Sequence, residues 1–232
     1  MIRLFVSAPL SECQPFSLDE KQSHYLMHVM RCRVDDKVVL FNGKDGEWMA
    51  VLKEVSKKGV VVVPTELLRT QTSDKPIILC PALIKKENFD FVLQKATELG
   101  VTEIRPVLTQ RTVVRQLNRL RAEAIVREAA EQCERLSVPS IFEPVTLSQM
   151  ISDLPPEVRL VYLSERGASS ASIPSDETVA FVVGPEGGFA PDEIDMFTRR
   201  VGSISCHLGQ TILRAETASI AILSCYSFHL FD

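Results

Sequence analysis

Apolar residues change their spacing along the chain, and the change divides it in two. Over residues 1–70 they form short runs that alternate or cluster, as strands do. Residues 2–6 are one such run. Ser17-Leu18-Asp19-Glu20 has the form of a capping box, and it predicts a helix that runs to about Arg31. Residues 38–41 and 48–52 then read as strands joined by Asn42-Gly43-Lys44-Asp45-Gly46, a hairpin signal because Asn and Gly tolerate positive φ. A further strand follows Gly59 over residues 60–64. Strands this closely spaced predict a small β-barrel domain over residues 1–70.

Residues 69–76, Arg-Thr-Gln-Thr-Ser-Asp-Lys-Pro, are polar and end in proline, which marks a linker. Beyond it, over residues 77–232, apolar strand runs alternate with helical periodicity. Strands are predicted at 77–83, 104–108, 160–163, 179–183 and 204–208. Helices are predicted at 88–99, closed by Gly100, at 116–136, from 191 and at 216–228. Thr146-Leu147-Ser148-Gln149 caps a short helix, and Pro191-Asp192-Glu193 opens another with acids at its positive end. The alternation predicts an α/β domain with a mostly parallel sheet and helices on both faces.

Composition changes this picture little. The chain has 232 residues, 45% of them hydrophobic and 24% charged, enough to bury two cores without disulfide or metal staples. The formal net charge is -4, which argues against indiscriminate nucleic-acid binding but leaves room for a local basic face. The six cysteines form no C-x-x-C pair and mostly sit in apolar runs, as reduced, buried cysteines do. No signal-peptide core and no membrane-length apolar run occurs. A soluble, cytoplasmic protein is expected.

Two loops are candidates for chemistry. Val182-Val183-Gly184-Pro185-Glu186-Gly187-Gly188-Phe189 follows a buried strand and precedes a helix. Ligands of parallel sheets bind beyond the carboxyl ends of the strands, and glycines let backbone groups approach them closely. The loop has neither the Gly-Lys-Ser/Thr of a phosphate loop nor a G-x-G-x-x-G. Leu208-Gly209-Gln210-Thr211-Ile212-Leu213-Arg214-Ala215-Glu216-Thr217 also joins a strand to a helix. Ile212 and Leu213 would be wasted in a loop unless they pack on something flat and apolar, such as an adenine ring. Arg214 fits a surface salt bridge as well as a substrate role.

Together these loops resemble the signature loops of SPOUT-class methyltransferases, and more narrowly those of the ribosomal RNA small subunit methyltransferase E family. The resemblance extends through Lys86-Glu87-Asn88-Phe89-Asp90-Phe91, Gln94-Lys95-Ala96-Thr97-Glu98-Leu99-Gly100, Glu131-Gln132-Cys133 with Arg135, and Phe41-Asn42-Gly43. It implies a PUA-like RNA-binding domain followed by a trefoil-knotted domain that binds S-adenosylmethionine. It also implies a homodimer and methylation of N3 of a uridine in the decoding region of 16S rRNA. The cofactor would lie against Leu163, Gly184, Glu186, Gly187, Gly188, Leu208, Gly209, Ile212 and Leu213. Arg214 and Glu216 would serve the reaction, Arg214 by stabilising or orienting the target base. Glu216 or Glu186 would take the proton or hold Arg214. The chain departs from the family where Glu134 replaces a glycine, where Leu136 replaces a polar residue, and where Gln210-Thr211 replaces Pro-Arg.

Between Val101 and Arg121 lie Arg105, Arg111, Arg115, Arg119 and Arg121 against the single acid Glu103. Scarce partners put phosphate contact at least on a par with a solvated, ion-paired face. Lys86, Arg111 and Arg115, with His24 and Arg31 in the first domain, are therefore the candidate RNA contacts. His24 and His28 share a helix face but lack a third ligand, so no metal is expected. The last helix carries apolar residues on more than one face, Ala218, Ala221, Ile222 and Tyr226 among them, and this suits a self-associating surface.

Overall fold

A computed structural model describes residues 1–73, 75–164, 173 and 177–228. The chain forms two compact units, Met1–Ser73 with Ala130–Val138, and Asp74–Ala129 with Pro139–Asp232. The first unit thus takes in a segment far along the chain that its sequence pattern does not announce.

In the first unit, β1 (Arg3–Phe5), β2 (Phe16–Ser17), β3 (Lys37–Phe41), β4 (Glu47–Ser56) and β5 (Gly59–Arg69) form one sheet in the order β1-β3-β4-β5-β2. The predicted hairpin joins β3 to β4. Asn42 Oδ1 accepts from the amides of Lys44 (3.0 Å) and Asp45 (2.8 Å), which folds the turn. Gly46 closes it at φ 84°, where a Cβ would stand 2.3 Å from the Arg69 carbonyl oxygen. Register shifts between β4 and β5 bend the pair, and Leu40, Ala50, Leu52, Val60 and Val62 share one core with Leu26.

The helix that contributes Leu26 differs from expectation. Ser17 is spent on pairing with Val61, and Asp19 is the cap, its carboxylate accepting from the Gln22 amide at 2.8 Å. The helix α1 (Glu20–His24) runs straight into a π-helical turn, Tyr25–Val29, and stops before Arg31, which has φ 56°.

An ionic cluster stitches in the Ala130–Val138 segment. Buried Glu47 accepts from Arg3 Nε and Arg69 Nε, both at 2.6 Å. Arg3 also donates to the carbonyls of Ala130 (2.9 Å) and Arg135, and Arg69 donates to that of Glu134 (2.7 Å). Burial alone would raise the Glu47 pKa, but hydrogen bonds and charge from Arg69 and Arg3 outweigh it and hold the carboxyl below its ordinary value.

Glu134 itself sits at φ 60°, a left-handed position that suits glycine. Glu134→Gly should relieve that strain and raise stability by about 0.5–1 kcal/mol, part of the gain being offset by glycine's freedom in the unfolded chain. A thermal melt checks this. An unchanged or lower midpoint would mean that the Glu134 charge beside Arg69 matters more.

In the second unit the elements are β6 (Ile77–Pro81), α2 (Lys86–Glu98), β7 (Glu103–Ile104), β8 (Val107–Leu108), α3 (Arg119–Gln132, whose residues from Ala130 on belong to the first unit), β9 (Ser140–Ile141), β10 (Val145–Thr146), α4 (Leu147–Asp153), β11 (Arg159–Leu163), β12 (Val179–Val183), α5 (Pro191–Arg199), β13 (Ile204–Cys206) and α6 (Ala215–Ser227). Six strands make a sheet in the order β13-β11-β12-β6-β7-β9, and every pairing in it is parallel. Ile78, Cys80, Leu160, Tyr162, Ala180 and Val182 face α4 and α5, where Phe197 stacks on Tyr162. Phe181, on the alternate face, meets Tyr226 of α6 edge-on at 5.1 Å. Both faces are covered, as the sequence predicts.

Two predicted elements are corrected. The single strand at 104–108 is two strands in different sheets, since Pro106 lacks a ladder donor and β8 turns away to pair with β10. The helix at 116–136 is shorter. Asn118 caps its start by accepting from the Arg121 amide at 3.0 Å, and the left-handed Glu134 lies just beyond its end.

Candidate active site

The carboxyl ends of β11, β12 and β13 open into a cavity of about 390 Å³. This is the edge at which parallel sheets bind ligands, and the volume suits a small organic molecule. Two loops build its walls, and each is shaped by glycine. In the first, Gly188 at φ 68° donates its amide to the Pro185 carbonyl at 2.9 Å. Gly184 lies so close to Phe189 that a Cβ would stand 3.2 Å from the ring. In the second, Gly209 has φ 73° with open space beside it. Ser164 joins the second loop to the end of β11: its amide donates to the Cys206 carbonyl (2.9 Å), and its own carbonyl lies 3.2 Å from His207 Nδ1.

Leu163, Gly184, Glu186, Gly187, Gly188, Leu208, Ile212 and Leu213 all line the cavity. Gly209 shapes the loop without being part of the lining. Ile212 is 66% exposed, an apolar side chain at the cavity wall with little protein packed on it. Arg214 lines the cavity as the N-cap of α6, and its side chain makes no hydrogen bond to that helix.

Glu216 departs from expectation. It is absent from the lining, and its carboxylate accepts from Asn88 Nδ2 of α2 at 3.2 Å. Its other oxygen is buried with no hydrogen-bond partner among the described residues. The spacing Arg214-x-Glu216 across a helix start turns the two side chains apart.

Ser164, Phe189, Ile194, His207 and Thr211, which are not among the expected cofactor contacts, also line the cavity. Ile194 had a usable signal, because it stands three residues before Phe197 on the inner stripe of α5. Buried Cys206 lines the cavity as a thiol, burial pushing its pKa up to about 11.

The candidate RNA contacts fall in several places. Arg111 lines the cavity and donates to the Gly187 carbonyl at 2.6 Å. Lys86, at the first position of α2, and Arg115 are exposed. His24 and Arg31 are exposed in the first unit, with the rings of His24 and His28 4.7 Å apart. The expected shortage of acid partners is overturned for the other arginines. Arg105 pairs with Glu103, Arg119 with Glu123 and Glu143, and Arg121 with Asp90. Folding brings in Asp90 and Glu143 from outside the basic stretch. Among the described residues no cluster of three or more His, Cys, Asp or Glu could hold a metal, and no helix is long and apolar enough to cross a membrane.

Comparison with known proteins agrees with this architecture. Residues 71–227 match the family model of an RNA methyltransferase domain, and residues 18–65 match that of an RNA methyltransferase PUA domain. A structure from Neisseria gonorrhoeae, a ribosomal RNA small subunit methyltransferase E bound to S-adenosyl methionine, superposes with a TM-score of 0.89 at 30% identity, covering 99% of this chain and 98% of that one. A methyltransferase from Legionella pneumophila with bound cofactor SAM gives 0.89 at 29% identity over 98% of this chain and 97% of its own. In sequence, the ribosomal RNA small subunit methyltransferase E of Rickettsia conorii is 32% identical over 96% of this chain and 93% of its own length. The fold and the looped cavity thus define an RNA methyltransferase with an N-terminal PUA domain. The chain belongs to the ribosomal RNA small subunit methyltransferase E family.

Proposed function

We propose that the protein transfers a methyl group from S-adenosylmethionine to N3 of a uridine in 16S rRNA, in the cytoplasm. The observation that carries this reading is the cavity itself, lined by glycines and apolar side chains together with Arg111 and Arg214. The pieces fit that cofactor. Exposed Ile212, with Leu163, Leu208 and Leu213, offers apolar contact to an adenine ring. Gly184, Gly187 and Gly188 leave backbone groups within reach, and Gly209 gives the second loop its turn. When bound, the cofactor supplies an activated methyl on a positive sulfur, so no metal is needed.

The protein's part is to hold the target base in line and to favour loss of its imide proton. Arg214 would face the charge that develops on the base. Glu186, exposed at the same cavity, is better placed to receive the proton than Glu216, whose carboxylate is turned to Asn88. Nucleoside mass spectrometry of 16S rRNA, from cells with and without the protein, tests the assignment. The expected result is 3-methyluridine only when the protein is present. A methyl on ribose or guanine instead would overturn it.

RNA would be held by phosphate contacts at Lys86 and Arg115 in the second unit, and by His24 and Arg31 in the first. Replacing Lys86 and Arg115 by glutamine should lower the slope of log affinity against log salt by one to two, since each phosphate contact contributes about 0.7–0.9. An unchanged slope would make them solvated surface only.

A homodimer through α6 completes the reading. Ser219, Ile222, Leu223 and Tyr226 are buried within the chain, whereas Ile220, Ala221 and Cys225 remain half-exposed along the same helix. Ala221→Glu should give monomers and abolish methylation together, as light scattering and a methyl-transfer assay would show. An unmodified protein that is monomeric at micromolar concentration and still active would rule the dimer out.

A further inference from the structure

Arg111 is held by a device that has no part in the transfer step itself. Residues 109–112 form a closed turn. The Thr109 amide donates to Thr112 Oγ1 at 3.0 Å, the two hydroxyls lie 2.9 Å apart, and the Thr112 amide returns to the Thr109 carbonyl at 3.2 Å. Both threonines are buried. Glu193 of α5 is 3% exposed and clasps this turn to the glycine loop. One carboxylate oxygen accepts from the Gln110 amide and the other from the Ala190 amide, each at 2.8 Å. A buried carboxylate is costly unless its oxygens are satisfied, and here two charge-assisted bonds satisfy them. The residues it grips directly precede Arg111 and directly follow Phe189.

The clasp fixes where Arg111 can point. Its stem lies along Gly187, where a Cβ would come within 3.4 Å of its Cβ and Cδ, and Nη1 is spent on the Gly187 carbonyl. Among the described residues nothing else takes up the guanidinium fork, and Arg111 lines the cavity. A guanidinium has five donors in a planar fork that matches a carboxylate. We propose that Arg111, aimed by the positioning residue Glu193, anchors the carboxylate of the cofactor's amino-acid tail. The proposal rests on reading the cavity as the S-adenosylmethionine site, and it takes Arg111 away from the RNA contacts.

The test is calorimetric and needs no turnover. S-adenosylhomocysteine carries the tail, and 5′-methylthioadenosine lacks it. Arg111→Ala should weaken S-adenosylhomocysteine about 10- to 100-fold, the range of a lost charge-assisted bond. It should leave 5′-methylthioadenosine nearly unchanged. Glu193→Gln should reproduce that selective loss, because an amide offers one acceptor where two amides need one each, and Arg111→Ala added to it should cost little more. Equal loss for both ligands, or none, overturns the anchor. Unchanged cofactor affinity with a flattened salt dependence of RNA binding would assign Arg111 to a phosphate instead. Because Arg111 is exposed, its substitution tests the anchor even if Glu193→Gln does not fold. Wild-type protein that binds neither ligand would overturn the reading of the cavity. The clasp is judged apart from it by amide exchange: faster exchange at Gln110 and Ala190 in Glu193→Gln is expected, and unchanged protection overturns the role of Glu193.

Discussion

Gly188→Val is expected to weaken S-adenosylmethionine binding by about two orders of magnitude or more, roughly 3 kcal/mol. Gly188 lines the cavity and turns the first loop at φ 68° with its amide on the Pro185 carbonyl. A valine there meets two obstacles. Its β-branched side chain disfavours the left-handed backbone, a cost of about 1–3 kcal/mol that would appear as a lower melting temperature. Its methyl groups also add bulk to a wall that a ligand must approach closely. Gly209→Ala separates the two effects. It sits at φ 73° with open space around its Cβ, so it carries strain without intrusion. A folded Gly188→Val protein that binds the cofactor as tightly as the wild type would remove this loop from the site.

How much of this was legible in the sequence depends on the range over which each feature is decided. The glycine loop and the Leu208–Arg214 loop were legible because strand, turn and helix follow one another locally, and the cavity is built where both loops leave the sheet. The cap at Thr146 was legible for the same reason, its hydroxyl accepting from the Gln149 amide at 3.2 Å. The cap at Ser17 was not, because a strand partner at Val61 competed for that residue. The pair Arg119–Glu123 is local, but those of Arg119 with Glu143 and of Arg121 with Asp90 reach partners that no local count of charge could supply. Arg111 is the sharpest case. In sequence it belongs to a stretch that holds Arg105, Arg115, Arg119 and Arg121, but its neighbours in space are Gly187 and the loop clasped by Glu193. The family departure at Glu134 was visible as a missing glycine, and its meaning became plain only with φ 60°.

Arg214→Ala is expected to lower kcat by about 10²- to 10³-fold, the usual cost of removing one donor aimed at developing charge. Three features argue for a catalytic rather than a structural arginine. Arg214 is the N-cap of α6, and its backbone carbonyl already serves the helix by accepting from the Ala218 amide at 2.8 Å, so truncating the side chain leaves that bond in place. The side chain is exposed and lines the cavity, so little packing is lost with it. The adjacent helix N-terminus adds a partial positive charge, which favours an anion at this place. In the proposed reaction the uridine imide becomes negative when it loses its proton, ahead of methyl transfer, and a guanidinium beside it lowers the pKa for that loss. Without Arg214 the kcat–pH profile should therefore shift to higher pH, while cofactor affinity measured by calorimetry stays close to that of the wild type. Arg214→Lys should recover part of the rate, since it restores the charge but not the planar fork. If Arg214→Ala keeps kcat and its pH profile and raises only KM for RNA, the arginine binds substrate without taking part in the transfer.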